Sequence, residues 1–249
     1  MEEIQGSIQM ITNGSVLLYL IKGLGFTLVI AFFAIVFGII IGTLLALARN
    51  YCNSGPAVIL KWASTAYIEV FRNTPLMLWL FIGLVFFPSV EVSVSFASFF
   101  ELSRTEMAVL FKAIMALILF TSSVIAEIVR GGLNSIDKGQ FESAFSQGFG
   151  MPGALILVIL PQTFRNIVPT LLSQIITTIK DTSYIANIAL VELMGKTFNL
   201  IQSSNLYTGF SVHNTSDVFV LCGFACVLYF AVNFTLSVII RKIQPDYAF

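Results

Sequence analysis

Four charged residues stand inside otherwise apolar runs of this 249-residue chain: Glu69 and Arg72, three positions apart, and the adjacent Lys180 and Asp181. Hydroxyl groups follow each pair, Thr74 after the first and Thr182 and Ser183 after the second. A charge at the centre of a bilayer costs about 2.5–3.5 kcal/mol on insertion scales, so such side chains face a bundle interior, a wet cavity or a partner. Together the pairs present both signs and neutral hydrogen-bonding groups, which suits holding or coupling a small polar solute. Equally, the ions can pair with one another to hold helices together or seal a gate, and the residues alone leave both readings open. Bond-breaking machinery is missing from the sequence: it has no Gly-x-Ser-x-Gly elbow, no His-Glu-x-x-His and no Cys/His cluster. It also has no Gly-x4-Gly-Lys-Ser/Thr loop to cradle nucleotide phosphates, so any ATP energy must come from another chain. Cys222 and Cys226, four apart on a helix, read as packing residues, and Cys52 and His213 as without a ligand role.

The elements that must position these groups are membrane helices. Hydrophobic residues make up 57% of the chain and charged ones 10%, where a soluble domain carries about 25% charged. The mean hydropathy is +0.92 and the net charge zero, and no basic patch suggests a nucleic-acid partner. The acidic start, MEEIQ, reads as a mature terminus rather than a signal segment. Residues up to about Lys22 read as too polar to span, and Gly25 to Ala48 as the first crossing. Ala57 to Pro88 exceeds one straight span and is interrupted at Glu69, Arg72, Asn73 and Pro75, which predicts a kinked or broken helix. Residues 89–105 read as a loop with a short surface helix, and Glu106 to Val129 as the next span. A long helix is expected from about Gln162 towards Asp181, a polar connection from Asn187 to Asp217, and a last span from Val218 to Ile240. The expectation is an all-α polytopic protein with about five crossings, forming a single transmembrane domain over residues 1–249.

Polar, charged, Gly and Pro residues gather between Glu127 and Asp181. Ile136 to Gly148 reads as a short helix outside the bilayer, with Asp137 to cap its start and Gly148, Gly150 and Pro152 to stop it. Phe141, Ala144, Phe145 and Gly148 recur at i, i+3, i+4 and i+7. That stripe fits either docking into a partner's groove or packing of a loop helix on its own chain.

Glu142-Ser143-Ala144, three residues, Gly148, nine residues, Val158, one residue and Leu160-Pro161 resemble the EAA loop of ATP-binding-cassette importer permeases, Glu-Ala-Ala-x3-Gly-x9-Ile-x-Leu-Pro. Ser143 and Val158 are conservative departures. Flanking residues resemble the polar amino-acid branch of that family: Ala126-Glu127-Ile128, Arg130-Gly131-Gly132, Gln162, Arg165, Pro169, Lys180-Asp181-Thr182-Ser183, and the earlier Phe71-Arg72-Asn73-Thr74-Pro75-Leu76. The resemblance implies the type I importer permease fold, with a coupling loop at about 136–161. It implies that Phe141, Glu142, Ser143, Ala144, Phe145 and Gly148 meet a cytoplasmic ATPase. It further implies an ATPase dimer that binds ATP and Mg, a second permease (the same chain or a paralogue), an extracytoplasmic amino-acid-binding protein, and no cofactor in this chain. Glu69, Arg72, Thr74, Lys180, Asp181, Thr182 and Ser183 then become substrate-path or gate residues, since an amino acid carries both a carboxylate and an ammonium. Trp79 and Val124 stand where many relatives carry Gln and Tyr, and either reshape a pocket or face lipid.

With the coupling loop inside, Arg49, Lys61, Arg130, Lys138, Arg165, Arg241 and Lys242 face the cytoplasm of a bacterial inner membrane, the N-terminus lying outside. Counting about 1.5 Å per residue from Lys61 and Arg165 puts Arg72 roughly 16 Å deep and Lys180 roughly 22 Å deep. A secondary transporter or channel for small polar solutes, or a type I permease for another substrate, is the alternative; about five spans supply no even inverted repeat for the former.

Overall fold

The computed structural model describes residues 8, 11–90, 98–100, 102–188, 190–208 and 215–243, which are helical with no strand among them. The helices are α1 (Gly14–Tyr51), α2 (Val58–Arg72), α3 (Leu76–Phe86), α4 (Arg104–Asn134), α5 (Lys138–Ser146), α6 (Leu160–Asp181), α7 (Leu193–Thr208) and α8 (Thr215–Ile243). A 3₁₀ turn, Gly55–Ala57, leads into α2; a short turn, Met151–Gly153, and a π-helix, Ala154–Ile159, lead into α6; and a 3₁₀ segment, Thr182–Ile188, follows it. Among the described residues, four helical runs are long and apolar enough to cross a bilayer, and the pair Gly55–Arg72 and Leu76–Phe86 makes up to five. The acidic start, His213, residues 91–97 and 101 of the expected 89–105 loop, and the end of the tail lie outside the described residues.

Several boundaries differ from expectation for physical reasons. The first helix starts at Gly14, well before the apolar run, and at 38 residues is about 57 Å long. Its early turns hold because Val16, Tyr19 and Leu20 are buried, which single-residue polarity around Lys22 hides. The interruption expected at Thr74-Pro75 is present as a break that bends the pair by 112°. Part of the expected polar connection is the helix α7, whose Leu193, Lys196, Thr197 and Leu200 are buried in spite of their mixed polarity. At the start of α4, Ser103 and Glu106 form a capping box: the Ser103 amide donates to Glu106 Oε2 at 2.7 Å, and the Glu106 amide donates to Ser103 Oγ at 3.2 Å.

The chain divides into two compact units. One comprises Met1–Ala34, Met77–Leu117 and Thr177–Leu236. Its core joins Val16, Tyr19, Leu20, Leu193, Leu200 and Leu221. At its centre Glu192, fully buried, accepts four hydrogen bonds: from the Thr27 and Tyr229 hydroxyls, each at 2.8 Å, and from the Met194 and Gly195 amides at 2.9 and 3.1 Å. Two of those donors are orphan amides at the start of α7, so the carboxylate caps that helix while tying it to α1 and α8. Lys112 donates to the Leu84 carbonyl at 2.7 Å, satisfying one of the free carbonyls at the end of α3.

The other unit comprises Ile35–Leu76, Ile118–Ile176 and Ser237–Phe249. Its core gathers Ala46, Ile125, Val129, Leu133, Ile159, Ile167 and Leu171, with Phe141 packed against them. Helices α1 and α4 meet here backbone to backbone. A Cβ at Gly42 would stand 2.8 Å from the Ser122 carbonyl oxygen and 2.9 Å from the Ala126 nitrogen. Gly132 instead makes room between α4 and α6 for side chains, since a Cβ there would overlap Ile167 Cγ2 and crowd Thr163 Cγ2. Tyr67 secures α2 by donating to the Leu119 carbonyl at 2.8 Å beside Ser122.

Candidate coupling helix and charged cluster

Helix α5 has clear start and stop chemistry. Asp137 is extended at the N-cap, and its Oδ1 accepts from the Gly139 amide at 2.7 Å. At the other end Gly148 has φ +86°, the Gly148 amide donates to the Phe145 carbonyl at 2.9 Å, and the Phe149 amide donates to the Ala144 carbonyl at 3.1 Å. This is a Schellman stop, and it needs a residue at ease in the left-handed region. A Cβ on Gly148 would meet nothing within 4 Å among the described residues, so there the glycine answers to conformation and not to crowding.

The stripe Phe141, Ala144, Phe145, Gly148 is split by the fold. Ala144 is buried and Phe141 is half-buried, its ring centroid 6.1 Å from that of Tyr51, whereas Phe145 is 46% exposed. With about 100° between successive residues, the direction that faces the α1 and α4 ends takes Ala144 and Phe141 and leaves Phe145 on the flank. The outward surface of the segment is therefore Glu142, Ser143, Phe145 and Gly148, an aromatic ring among polar groups.

The same unit assembles an ionic cluster. Arg49, in the last turn of α1, donates to Glu69 Oε1 at 2.8 Å and to Glu127 Oε2 at 3.2 Å. Arg72 approaches the same Glu127 oxygen at 3.6 Å, and Arg130 binds Glu127 Oε1, its Nε at 2.7 Å. Asn73 donates to the Glu69 carbonyl and carboxylate, and Thr74 donates to the Val70 carbonyl. Three guanidiniums against two carboxylates leave one net positive charge. Arg72 therefore shares the Glu127 carboxylate with Arg49 and Arg130.

The second group of singled-out residues belongs to the other unit. Lys180 is exposed and Asp181 is half-buried at the end of α6, where a cation suits the helix dipole. Thr182 is buried, donating to the Ile179 carbonyl at 2.8 Å and lying within hydrogen-bonding reach of Tyr229; Ser183 is half-buried in the 3₁₀ segment. No motif or spacing in the sequence marks Tyr229, Glu192 or Thr27. Glu192 sits in a stretch that reads as a loop, and only the helix it caps gives the carboxylate a purpose. Arg49 was read as a span end, and no spacing rule ties it to Glu127, 78 positions away.

Residues 34–246 match the family described as binding-protein-dependent transport system inner membrane component. The chain is 34% identical over 232 residues to the "Probable glutamine ABC transporter permease protein GlnP" of Bacillus subtilis (strain 168), covering 92% of this chain and 93% of that one. It is 32% identical to the "L-cystine transport system permease protein TcyL" of the same organism, covering 72% and 71%. Among solved structures, an amino acid ABC transporter with histidines superposes with a TM-score of 0.70 at 23% identity, covering 96% of this chain and 97% of that one. The chain belongs to the binding-protein-dependent transport system inner membrane component family. It is a multi-pass permease subunit with the fold of type I ABC importer permeases.

Proposed function

We propose that this permease imports a polar amino acid, delivered by an extracytoplasmic binding protein and driven by a cytoplasmic ATPase dimer that binds ATP and Mg. It works beside a second permease, the same chain or a paralogue, with its N-terminus outside and its C-terminus in the cytoplasm. The observation that carries the reading is α5, a capped nine-residue helix with an exposed Phe145 amid Glu142, Ser143 and Gly148, braced from behind by Ala144 and Phe141. An aromatic anchor on a rigid, polar-rimmed helix suits insertion into a groove on a partner. Amino-acid substrates are supported by the relatives, whose names specify glutamine and L-cystine.

In this reading Glu69, Arg72 and Thr74 act at a gate, where the net positive cluster draws carboxylates. Lys180, Asp181 and Ser183 line the path, with the buried Thr182 holding the turn behind them. The test is ligand-stimulated ATP hydrolysis by the assembled transporter across a panel of amino acids. Stimulation by one or a few polar amino acids is expected. Stimulation by sugars or metal complexes alone would replace the substrate class, and failure of the chain to co-purify with an ATPase would remove the coupling role.

A further inference from the structure

The segment joining α5 to α6 has an unusual construction. Pro161 has no amide hydrogen to give to the carbonyl four residues back, and its ring would crowd that carbonyl in a regular helix. The chain answers by widening Ala154–Ile159 into a six-residue π-helix, with Ile156 and Leu157 turned outward and Ala154 and Ile159 buried. Helix α5 packs directly on this π-helix. Across the same joint, Gln162 Nε2 donates twice: to Gln140 Oε1 on α5 at 2.9 Å, and to the Val158 carbonyl of the π-helix at 3.0 Å. Beyond it, α6 is seated firmly on α4. The Thr163 hydroxyl donates to the Ile159 carbonyl four residues back at 2.8 Å, and the missing side chain of Gly132 on α4 makes room for Ile167 and Thr163, which a Cβ there would crowd.

We infer that Gln162 is a positioning residue for energy coupling: its amide clasps α5, through Gln140, to the π-to-α junction, so that a displacement of α5 is delivered to α6 rather than absorbed in the connection. The inference rests on the proposed ATPase-coupling role of α5. A π-helix holds one residue more than the α-helix it interrupts, so it is the place in this connection where the register of α5 against α6 can slip. The only side-chain hydrogen bond between α5 and α6 found among the described residues spans it. Gln162 touches no substrate in this scheme and acts through the joint.

The experiment uses the assembled transporter in proteoliposomes and measures ATP hydrolysed per amino acid taken up. Gln162→Glu keeps the shape but loses both donors; Gln140→Ala removes the other half of the clasp from an exposed position that the fold does not need. Each is expected to raise the ratio three- to ten-fold at wild-type assembly. Gln162→Lys, which retains a donor, is expected to recover part of the coupling, and the Gln162→Glu/Gln140→Ala double variant should be no worse than the worse single. A wild-type ratio in Gln140→Ala, or effects that multiply in the double variant, would overturn the clasp while leaving the importer reading intact. Absence of ATP-dependent uptake by the wild-type assembly would overturn that reading and the clasp with it.

Discussion

Arg49 donates to Glu127 across 3.2 Å, joining the last turn of α1 to α4, and the same guanidinium holds Glu69 of α2 at 2.8 Å. Glu127 also takes Arg72 and Arg130, which makes it the carboxylate on which the ends of three helices converge. Charge-assisted hydrogen bonds contribute about 1.5–3 kcal/mol each, less where water reaches them. Glu127→Ala leaves three cations around Glu69 alone and is expected to destabilise the protein by about 1–3 kcal/mol. Thermal unfolding in detergent reads this; an unchanged midpoint would show that the cluster does not hold the helix ends.

Arg72 contributes a single approach of 3.6 Å rather than a two-pronged pair. Arg72→Lys, which keeps the charge but not the planar fork, should therefore cost less than about 0.5 kcal/mol and leave transport near wild type. Arg72→Gln should reduce the transport rate while inserting normally. Equal loss in both variants would indicate a geometric role that the observed contact does not supply.

At Gly42 the obstacle is backbone, which cannot rotate away. Gly42→Ala forces α1 and α4 apart and is expected to cost about 1–3 kcal/mol or more. Protein yield and unfolding temperature measure it, and a fully stable variant would mean the two helices slide freely past each other.

Gly148 separates two demands. An L-residue there costs about 1–2 kcal/mol for the left-handed conformation, except that Asn visits this region readily. Gly148→Val should insert yet abolish transport and ligand-stimulated hydrolysis. Gly148→Asn should restore the stop; if it also restores coupling, conformation is what matters, and if not, a partner packs against the missing Cβ.

Thr121 is wholly buried and its hydroxyl has no hydrogen-bond partner among the described residues. Removing an unsatisfied buried hydroxyl without changing shape is neutral or favourable, so Thr121→Val is expected to keep or raise the unfolding temperature. A loss above about 1 kcal/mol would mean the hydroxyl has a partner in the assembled protein.

How far the sequence could be read depended on the range of the interaction. The α5 boundaries were legible because Asp137 and Gly148 act on amides and carbonyls within a turn of themselves. The break at Pro75 was legible for the same local reason, but its 112° was not, since the direction of α3 is set by what it packs on. Long-range partners left no mark: Arg49 with Glu127, Glu192 with Thr27 and Tyr229, and the choice to bury Ala144 and Phe141 while exposing Phe145. Helix α7 was missed because burial of Lys196 and Thr197 runs against polarity. The π-helix follows from Pro161 only once the chain around it is known to be helical.

The most direct test is uptake of labelled amino acid into proteoliposomes containing this chain with an ATPase and a binding protein, measured with internal ATP and, separately, with an imposed ion gradient and no nucleotide. Uptake is expected only with ATP, and is expected to be lost when Phe145→Glu places a charge on the exposed face of α5. Nucleotide-independent uptake by the purified chain alone, driven by the ion gradient, would contradict the account.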